Sequence, residues 1–205
     1  FRTFGLGFYE YFQLAEDIGA APLPILNCGM ACQFNTAEVI PIDQLDPYVQ
    51  DALDLIEFAN GDVTTTWRKV RAGMGHPAPF NLKMMGVGNE NWGCGGNYDA
   101  VAYAHEYRRY ATMMRHVDPS AELVLCGLEE PRLFQEGFEQ SWNQKLLAAL
   151  GRHANLVDHL SIHTYWVDGG PETDFSDEDY YALLAEAQAT ETNIQRTAEV
   201  IQAAT

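Results

Sequence analysis

The chain has 205 residues, of which 47% are hydrophobic and 20% are charged, a composition typical of a globular protein with a buried core. Its 12 lysines and arginines stand against 29 aspartates and glutamates, so the formal net charge is -17. This charge repels nucleic-acid phosphates and anionic lipid surfaces. No apolar stretch reaches the roughly 20 residues of a membrane span. We therefore expect neither nucleic acid nor a membrane as a partner.

The amino terminus and the cysteines add two expectations. The first residues, "FRTFGLGFYEYF", show neither an initiator Met nor a signal-peptide pattern, so we expect a part of a longer protein. The single C-x3-C pair, Cys28 and Cys32, has no matching second pair and is weak evidence for zinc. Cysteines outside disulfides commonly pack as small apolar residues. We therefore predict no metal site, and the compartment stays open.

The first third of the chain predicts helix, strand and helix. Apolar residues at helical spacing over 8–18 are followed by Gly19, where a carboxyl-terminal helix cap would lie. "PLPILN" predicts a short buried strand that ends at Asn27. "QLDPYVQDALDLIEFANG" predicts a second helix with Asp46 as its N-cap and Pro47 at the first helical position.

The rest of the chain continues the alternation. Residues 82–87 predict a strand, tyrosines at helical spacing from Tyr103 predict a helix, and "ELVLCG" predicts the next strand. "SWNQKLLAALG" predicts a helix, and "LVDHLSIHTYW" predicts a strand that ends near His163. Ser176 with Asp179 forms a capping-box pattern that predicts one long helix toward the carboxyl terminus.

Four strands that alternate with about five helices predict an α/β fold, with a parallel sheet covered by helices. Such folds place their ligand groups at the carboxyl ends of the strands, whether the sheet closes as a barrel or stays open. The polar residues expected at this rim are Asn27, Asn89, Glu90, Glu129, Glu130, His163 and Tyr165.

The stretch "GVGNENWGCGGN", residues 86 to 97, sets Asn89 and Glu90 between glycines directly after a predicted strand. It does not complete G-x-G-x-x-G, and no Lys-Ser or Lys-Thr follows, so a phosphate loop is disfavoured. A structural interpretation makes Glu90 an amino-terminal helix residue, favoured by the helix dipole, with the glycines serving a tight turn.

A catalytic interpretation of the same stretch starts from the position of Glu90 at the mouth of a parallel barrel. Partial dehydration beside Trp92 would raise the pKa of Glu90 toward neutrality, so that it could protonate a leaving group. Glycoside hydrolysis needs such an acid. Asn89 would then bond a sugar hydroxyl, and Trp92 would pack against the apolar edge of the sugar.

These residues resemble a known family. "GVGNENWGCGGN" resembles the acid/base segment of the α-L-arabinofuranosidases of glycoside hydrolase family 51, whose fourth barrel strand ends in Asn-Glu. "GHPAPFNLK", "YRRYATMMRHVDP", "LVDHLSIHTYW" and "TDFSDEDYYALL" resemble further segments of that family, in the same order. The resemblance implies a (β/α)8 TIM barrel, of which residues 1–205 would form a partial catalytic domain with about four βα units, roughly strands three to six.

The resemblance implies a role for each site residue. Glu90 would be the general acid/base, and Asn89 would contact a hydroxyl of the sugar. His163 and Tyr165 match a His-x-Tyr motif whose members orient the sugar and the nucleophile. The predicted substrate-binding set is Asn27, Asn89, Trp92, His163 and Tyr165.

The resemblance also implies an activity and a partner. The activity would be that of a retaining α-L-arabinofuranosidase, which releases terminal non-reducing arabinofuranosyl residues from arabinan or arabinoxylan. The partner would be an arabinose-containing oligosaccharide or polysaccharide, and the complete enzyme would be a homo-oligomer. No cofactor or metal is expected, since two carboxylates suffice for the chemistry.

One of those two carboxylates is missing. A retaining enzyme needs a nucleophile about 5 to 5.5 Å from the acid. In the family this is a Glu in a segment resembling Asp-Glu-Trp, which we expect beyond Thr205, so the chain alone should be inactive. Glu129 and Glu130 are adjacent, and adjacent side chains rarely face one cavity. Two alternatives stay open: another barrel glycosidase, such as a xylosidase or an endoglucanase, and a non-catalytic sugar-binding fragment.

Overall fold

The computed structural model describes residues 5–32, 34–128, 141–166 and 171–204, so Glu129 and Glu130 lie outside the described residues. Within these ranges no helix is both long and apolar enough to cross a bilayer. The helices are α1 (Phe8–Ile18), α2 (Asp46–Asn60), α3 (Thr66–Gly73), α4 (Ala100–Val117), α5 (Trp142–Leu150), α6 (Asp177–Glu186) and α7 (Ala189–Ala204), with short 3-10 helices at Ile42–Gln44 and Gly151–Leu156. The strands are β1 (Ile25–Leu26), β2 (Met84–Val87), β3 (Glu122–Cys126) and β4 (His159–Ser161).

The four strands form one parallel sheet in the order β1-β2-β3-β4. Helices connect each strand to the next, so the predicted α/β class with a parallel sheet is confirmed. One row of the register runs across the whole sheet through Leu26, Val87, Leu125 and Leu160. The segments that follow the strands therefore leave the sheet at one rim, as the sequence predicts.

Helix α4 covers the sheet and fixes the strand ends with tyrosine hydroxyls. Tyr103 and Tyr110 are fully buried. The Tyr103 hydroxyl donates to the carbonyl of Val87 at 2.5 Å and accepts from the amide of Cys126 at 3.0 Å, so it joins the ends of β2 and β3. The Tyr110 hydroxyl donates to the carbonyl of Asn27, directly after β1, at 2.9 Å. One helix thus sets the relative positions of three strand ends.

Helix α3 was not predicted, because it carries no apolar stripe: Arg71 is its one buried residue. The Arg71 guanidinium is 1% exposed and donates to five backbone carbonyls around the end of α2 and the loop after α3. These carbonyls belong to Phe58, Ala59, Gly61, His76 and Pro77. The helix is therefore held by a satisfied buried charge, which hydrophobic periodicity does not reveal.

Two predicted helix boundaries differ from the observed ones. Helix α2 includes Asp46 and has Leu45 as its N-cap, so the N-cap assignment of Asp46 is wrong by one residue. The Asp46 carboxylate instead accepts from the Arg109 guanidinium of α4. The capping box of Ser176 and Asp179 is confirmed.

The prediction of one long carboxyl-terminal helix is wrong, because α6 ends at Glu186 and α7 begins at Ala189. The amide of Gln188 bonds the carbonyl of Ala185, and both the amide and the hydroxyl of Thr190 bond the carbonyl of Ala187. These contacts between residues three apart tighten the chain into a turn between the two helices. A side-chain hydroxyl that competes for a backbone carbonyl is the physical reason for the break.

Replacing Tyr103 with Phe should destabilise the fold by about 1–3 kcal/mol, because the change leaves the Val87 carbonyl and the Cys126 amide without their buried partner. Urea unfolding measures the effect. The matched control is Tyr181→Phe on α6, where the side chain is exposed. Equal stability of the two variants would contradict the role given to the Tyr103 hydroxyl.

Candidate active site

The turn after β2 folds back on itself around Glu90. Glu90 has a φ of 47°, in the left-handed region that a residue with a side chain seldom occupies. Its carbonyl accepts from the amides of Gly93 at 2.7 Å and Gly95 at 2.9 Å. A Cβ atom at Gly95 would lie 1.7 Å from the carbonyl oxygen of Asn89, so only glycine fits there. Helix α4 begins at Ala100, and the interpretation of Glu90 as a helix residue is therefore wrong.

Three donors converge on the Glu90 carboxylate, which is buried at 8% exposure. The Cys94 thiol donates to Oε2 at 3.0 Å. The Tyr165 hydroxyl donates to Oε1 at 2.5 Å, and His163 Nδ1 lies 3.2 Å from the same oxygen. The structure thus brings together Glu90, His163 and Tyr165 from the ends of two different strands, as expected for residues that share a rim.

The expectation of a raised pKa for Glu90 is wrong in direction. Burial is the largest single influence and does raise the pKa, but the thiol of Cys94, the hydroxyl of Tyr165 and the imidazole of His163 together lower it below the ordinary value of 4.5. Hydrogen bonds donated to a carboxylate stabilise its ionised form. In this arrangement Glu90 is therefore held as an anion.

Trp92 and His163 support each other. Their rings meet edge to face, with centroids 6.0 Å apart and an interplanar angle of 84°. The Trp92 Nε1 donates to the carbonyl of Gly127, just after β3, at 2.9 Å. His163 Nε2 also lies 3.2 Å from the hydroxyl of Ser161. Trp92 therefore positions the imidazole that contacts Glu90, and its packing against a sugar stays a prediction.

The two predicted asparagines both lie on the rim, but Asn27 is hydrogen-bonded within its turn and Asn89 is exposed. Asn27 Oδ1 accepts from the amides of Gly29 at 2.7 Å and Met30 at 3.2 Å, which closes the turn after β1. Asn89 is exposed beside Glu90. Both asparagines line a cavity of about 270 Å³ between the ends of β1 and β2. They are near each other, as predicted, although Asn27 has a local structural role.

Sequence reasoning missed two residues of the site, Cys94 and Asn91. Cys94 contacts Glu90 directly, and the available signal was its position four residues later in a glycine-rich turn. Asn91 is 1% exposed and donates from Nδ2 to the carbonyl of Gly95 at 3.1 Å, while its Oδ1 has no hydrogen-bond partner among the described residues. Asn91 therefore stabilises the same turn through its buried side chain.

The lowered pKa of Glu90 predicts how stability changes with pH. A carboxylate with a depressed folded-state pKa contributes stability above its unfolded pKa, and this contribution is lost as the pH falls through the folded value. The difference in unfolding free energy between the wild type and Glu90→Gln should therefore shrink as the pH falls below about 4.5. Urea unfolding across this range measures it, with exposed Glu178→Gln as the control for one lost charge. A difference that grows on acidification would contradict the shift.

Replacing Gly95 with Ala should destabilise the chain by more than about 2 kcal/mol, because the new methyl group would collide with the Asn89 carbonyl and open the turn. Gly73→Ala is the control, since a Cβ there meets nothing within 4 Å and alanine favours a helix by about 1 kcal/mol. Urea unfolding compares the two variants. A Gly95→Ala chain as stable as Gly73→Ala would refute the steric account of the turn.

Comparison with known proteins gives the family. Residues 2–182 match the model of the family described as the α-L-arabinofuranosidase 1 domain. α-L-Arabinofuranosidase 2 of Arabidopsis thaliana is 42% identical over 122 residues, which are 58% of this chain and 16% of that protein. The extracellular exo-α-L-arabinofuranosidase of Streptomyces chartreusis is 53% identical over 90 residues, which are 43% of this chain and 11% of that protein.

A solved structure shows the same fold. The GH51 arabinofuranosidase of Xanthomonas axonopodis pv. citri aligns with a TM-score of 0.73 at 20% identity, over 97% of this chain and 36% of that chain. The predicted TIM-barrel class is thereby confirmed, and the chain supplies about four of the eight βα units. It spans well under half the length of each of these relatives. Because the family model covers most of the sequence, the resemblance to α-L-arabinofuranosidases is confirmed, and this chain belongs to the α-L-arabinofuranosidase 1 domain family.

Proposed function

We propose that this chain is the central part, roughly strands three to six, of the catalytic barrel of a retaining α-L-arabinofuranosidase in which Glu90 is the general acid/base. The observation that supports the proposal is the Glu90 carboxylate itself, which is buried at the rim, held at a φ of 47° and contacted by His163 and Tyr165. Strained residues concentrate at functional sites, where the surrounding structure keeps them in place.

The proposed reaction has two steps. In the first, a partner carboxylate attacks the anomeric carbon of arabinofuranose while protonated Glu90 gives its proton to the departing glycosidic oxygen. In the second, ionised Glu90 takes a proton from water, and the resulting hydroxide displaces the partner carboxylate and releases arabinose. The same side chain thus acts first as an acid and then as a base.

No carboxylate is among the described groups that hydrogen-bond to Glu90. These groups are the thiol of Cys94, the phenol of Tyr165 and the imidazole of His163. We infer that the nucleophile is a Glu beyond Thr205. A second carboxylate about 5 to 5.5 Å away would raise the pKa of Glu90 by repulsion between like charges.

The partner carboxylate also gives Tyr165 and His163 their proposed task. Both side chains donate hydrogen bonds, and both now contact the same oxygen, Oε1 of Glu90. When the nucleophile is present, these donors divide between two carboxylates, and Glu90 loses part of the stabilisation of its anion. The lowered pKa of Glu90 suits the second step, in which it must be an ionised base.

The substrate side of the proposal rests on the polar rim and on the relatives. Asn89 is exposed beside Glu90 and is proposed to bond a hydroxyl of the sugar. The side-chain oxygen of Asn27, Oδ1, already accepts from two backbone amides. The side-chain nitrogen, Nδ2, is therefore the group proposed to donate to the sugar. The Streptomyces relative is named an exo-α-L-arabinofuranosidase, which supports terminal α-L-arabinofuranosyl residues as the substrate. We propose arabinan or arabinoxylan as the polymer that carries them. The proposed assembly is a homo-oligomer.

Glu90→Gln in the natural protein that contains this chain should lower kcat/KM for arabino-oligosaccharides about 10²–10⁴-fold, since their leaving oxygen needs a proton. The loss for 4-nitrophenyl α-L-arabinofuranoside should be much smaller, because nitrophenolate leaves without protonation. The control is Glu122→Gln, at the start of β3, where the carboxylate lies 2.8 Å from His159.

Each outcome of this comparison decides between hypotheses. Unchanged hydrolysis of both substrates by Glu90→Gln would refute the acid/base role. Faster hydrolysis of aryl xylosides or glucans than of arabinofuranosides by the wild type would favour another barrel glycosidase. Calorimetric binding of arabino-oligosaccharides without turnover by the wild type would favour a sugar-binding function.

A further inference from the structure

A second thiol lies beside the one that contacts Glu90. Cys32, in the loop after β1, and Cys94, in the turn after β2, both line the cavity of about 270 Å³ at the rim. Cys32 lies near enough to the Cys94 thiol to raise its pKa, and the Cys94 thiol donates to Oε2 of Glu90 at 3.0 Å. Both cysteines are partly exposed and reduced.

We propose that Cys32 and Cys94 are a reversible oxidation site, whose disulfide removes the thiol donor from Glu90. Cys32 follows β1 and Cys94 follows β2, the neighbouring parallel strand, so the disulfide would join the loops after these two strands. This inference rests on the proposed function in one respect, because the proposed function makes Glu90 the catalytic acid/base. The chemistry of the pair stands without it.

The loop that carries Cys32 is held in place over the turn that carries Cys94. A bridge between Met30 and Val39 closes the loop, and the carbonyl of Cys32 accepts from two amides within it, at 2.9 and 3.2 Å. The side chain of Asn91 approaches the Met30 sulfur at 3.0 Å and so connects this loop to the turn. The loop of Cys32 and the turn of Cys94 are therefore connected by a side-chain contact as well as by the cavity that both cysteines line.

The other two cysteines provide an internal contrast. Cys28 and Cys126 are 3% and 2% exposed and lie in the apolar core. Burial raises the pKa of both thiols, to about 11 for Cys126. Shielded thiols react slowly with oxidants, because the oxidant does not reach the sulfur. Cys28 also lines the cavity but is shielded, so oxidation is directed to the two more exposed thiols, Cys32 and Cys94.

The proposed oxidant is a small-molecule disulfide such as oxidised glutathione. The Cys32 thiolate attacks one sulfur of the oxidant, releases one glutathione thiol and forms a mixed disulfide. The Cys94 thiol then attacks the Cys32 sulfur while its proton passes to the departing glutathione sulfur, which leaves as the second thiol. Two electrons pass to the oxidant, and the two cysteine protons end on the two released thiols.

The order of the two attacks follows from the neighbours of Cys94. The hydrogen bond to Glu90, with burial and the negative charge of Glu90, raises the pKa of Cys94 to about 12. Cys94 is therefore a poor first nucleophile. As the resolving thiol it attacks Cys32, which lines the same cavity. The disulfide lacks an S–H group, so Glu90 then accepts one hydrogen bond fewer and retains its proton to higher pH.

The test treats the folded chain with excess oxidised glutathione, followed by intact mass measurement and peptide mapping. The wild type should lose the mass of two hydrogens, yield a Cys32–Cys94 linked peptide and recover with dithiothreitol. Cys94→Ser should instead accumulate a glutathione adduct on Cys32, and Cys126→Ser should form the disulfide as the wild type does. A Cys28–Cys126 link, or a folded wild type that stays reduced while its urea-unfolded form is oxidised, would overturn the proposal.

A carboxyl titration followed by NMR tests the link to Glu90 without any activity assay. In a chain labelled with ¹³C at glutamate carboxyls, Glu90→Gln assigns the Glu90 signal. Its titration midpoint should move to higher pH on oxidation and in Cys94→Ala, whereas Cys94→Ser retains a hydroxyl donor and should stay close to the reduced wild type. A midpoint that does not move on oxidation would refute the link to Glu90, whether or not the natural protein hydrolyses arabinosides.

Discussion

Parallel pairing of four successive strands is the constraint on which the site depends, because it sends the segments after all four strands to one rim. The hydroxyl of Tyr103 fixes the ends of β2 and β3 relative to each other, and the hydroxyl of Tyr110 fixes the end of β1. On this frame a residue after β2 and two residues after β4 meet at hydrogen-bonding distance, although more than 70 positions separate them in the chain. A slip of β2 or β4 by one residue against β3 would break that meeting.

The turn after β2 places the Glu90 carboxylate against its hydrogen-bond donors. Because Gly95 has no side chain, the backbone there can approach the carbonyl of Asn89. The carbonyl of Glu90 then accepts hydrogen bonds from two amides, and Glu90 keeps a left-handed backbone conformation. The contacts around Glu90 offset the strain of this left-handed conformation. The carboxylate meets a thiol, a phenol and an imidazole in a buried setting, where hydrogen bonds to a charge are strong. A negatively charged protein suits a neutral sugar substrate, which needs no electrostatic attraction.

The sequence predicts those features that depend on local pattern. Helix α1 ends at Ile18 with Gly19 as its C-cap, and α4 buries its tyrosines, as the apolar spacing indicates. Helix α3 and the break between α6 and α7 escape prediction, because a buried arginine and a threonine hydroxyl determine them. Within the site, the position of Glu90 follows from the strand before it. Its lowered pKa does not, since the three donors come from a turn and a distant strand that only the folded chain brings together. Trp92 likewise contacts His163 and Gly127, which no spacing rule indicates.

The identity of the product formed with azide tests most directly whether Glu90 is the acid/base of a retaining enzyme. In the natural protein with Glu90→Ala, azide needs no general base and can attack the glycosyl-enzyme intermediate in place of water. With 4-nitrophenyl α-L-arabinofuranoside as the substrate, our account predicts faster turnover in azide and α-L-arabinofuranosyl azide as the product, identified by NMR. A β-configured azide, or a rate and product that azide leaves unchanged, would contradict it.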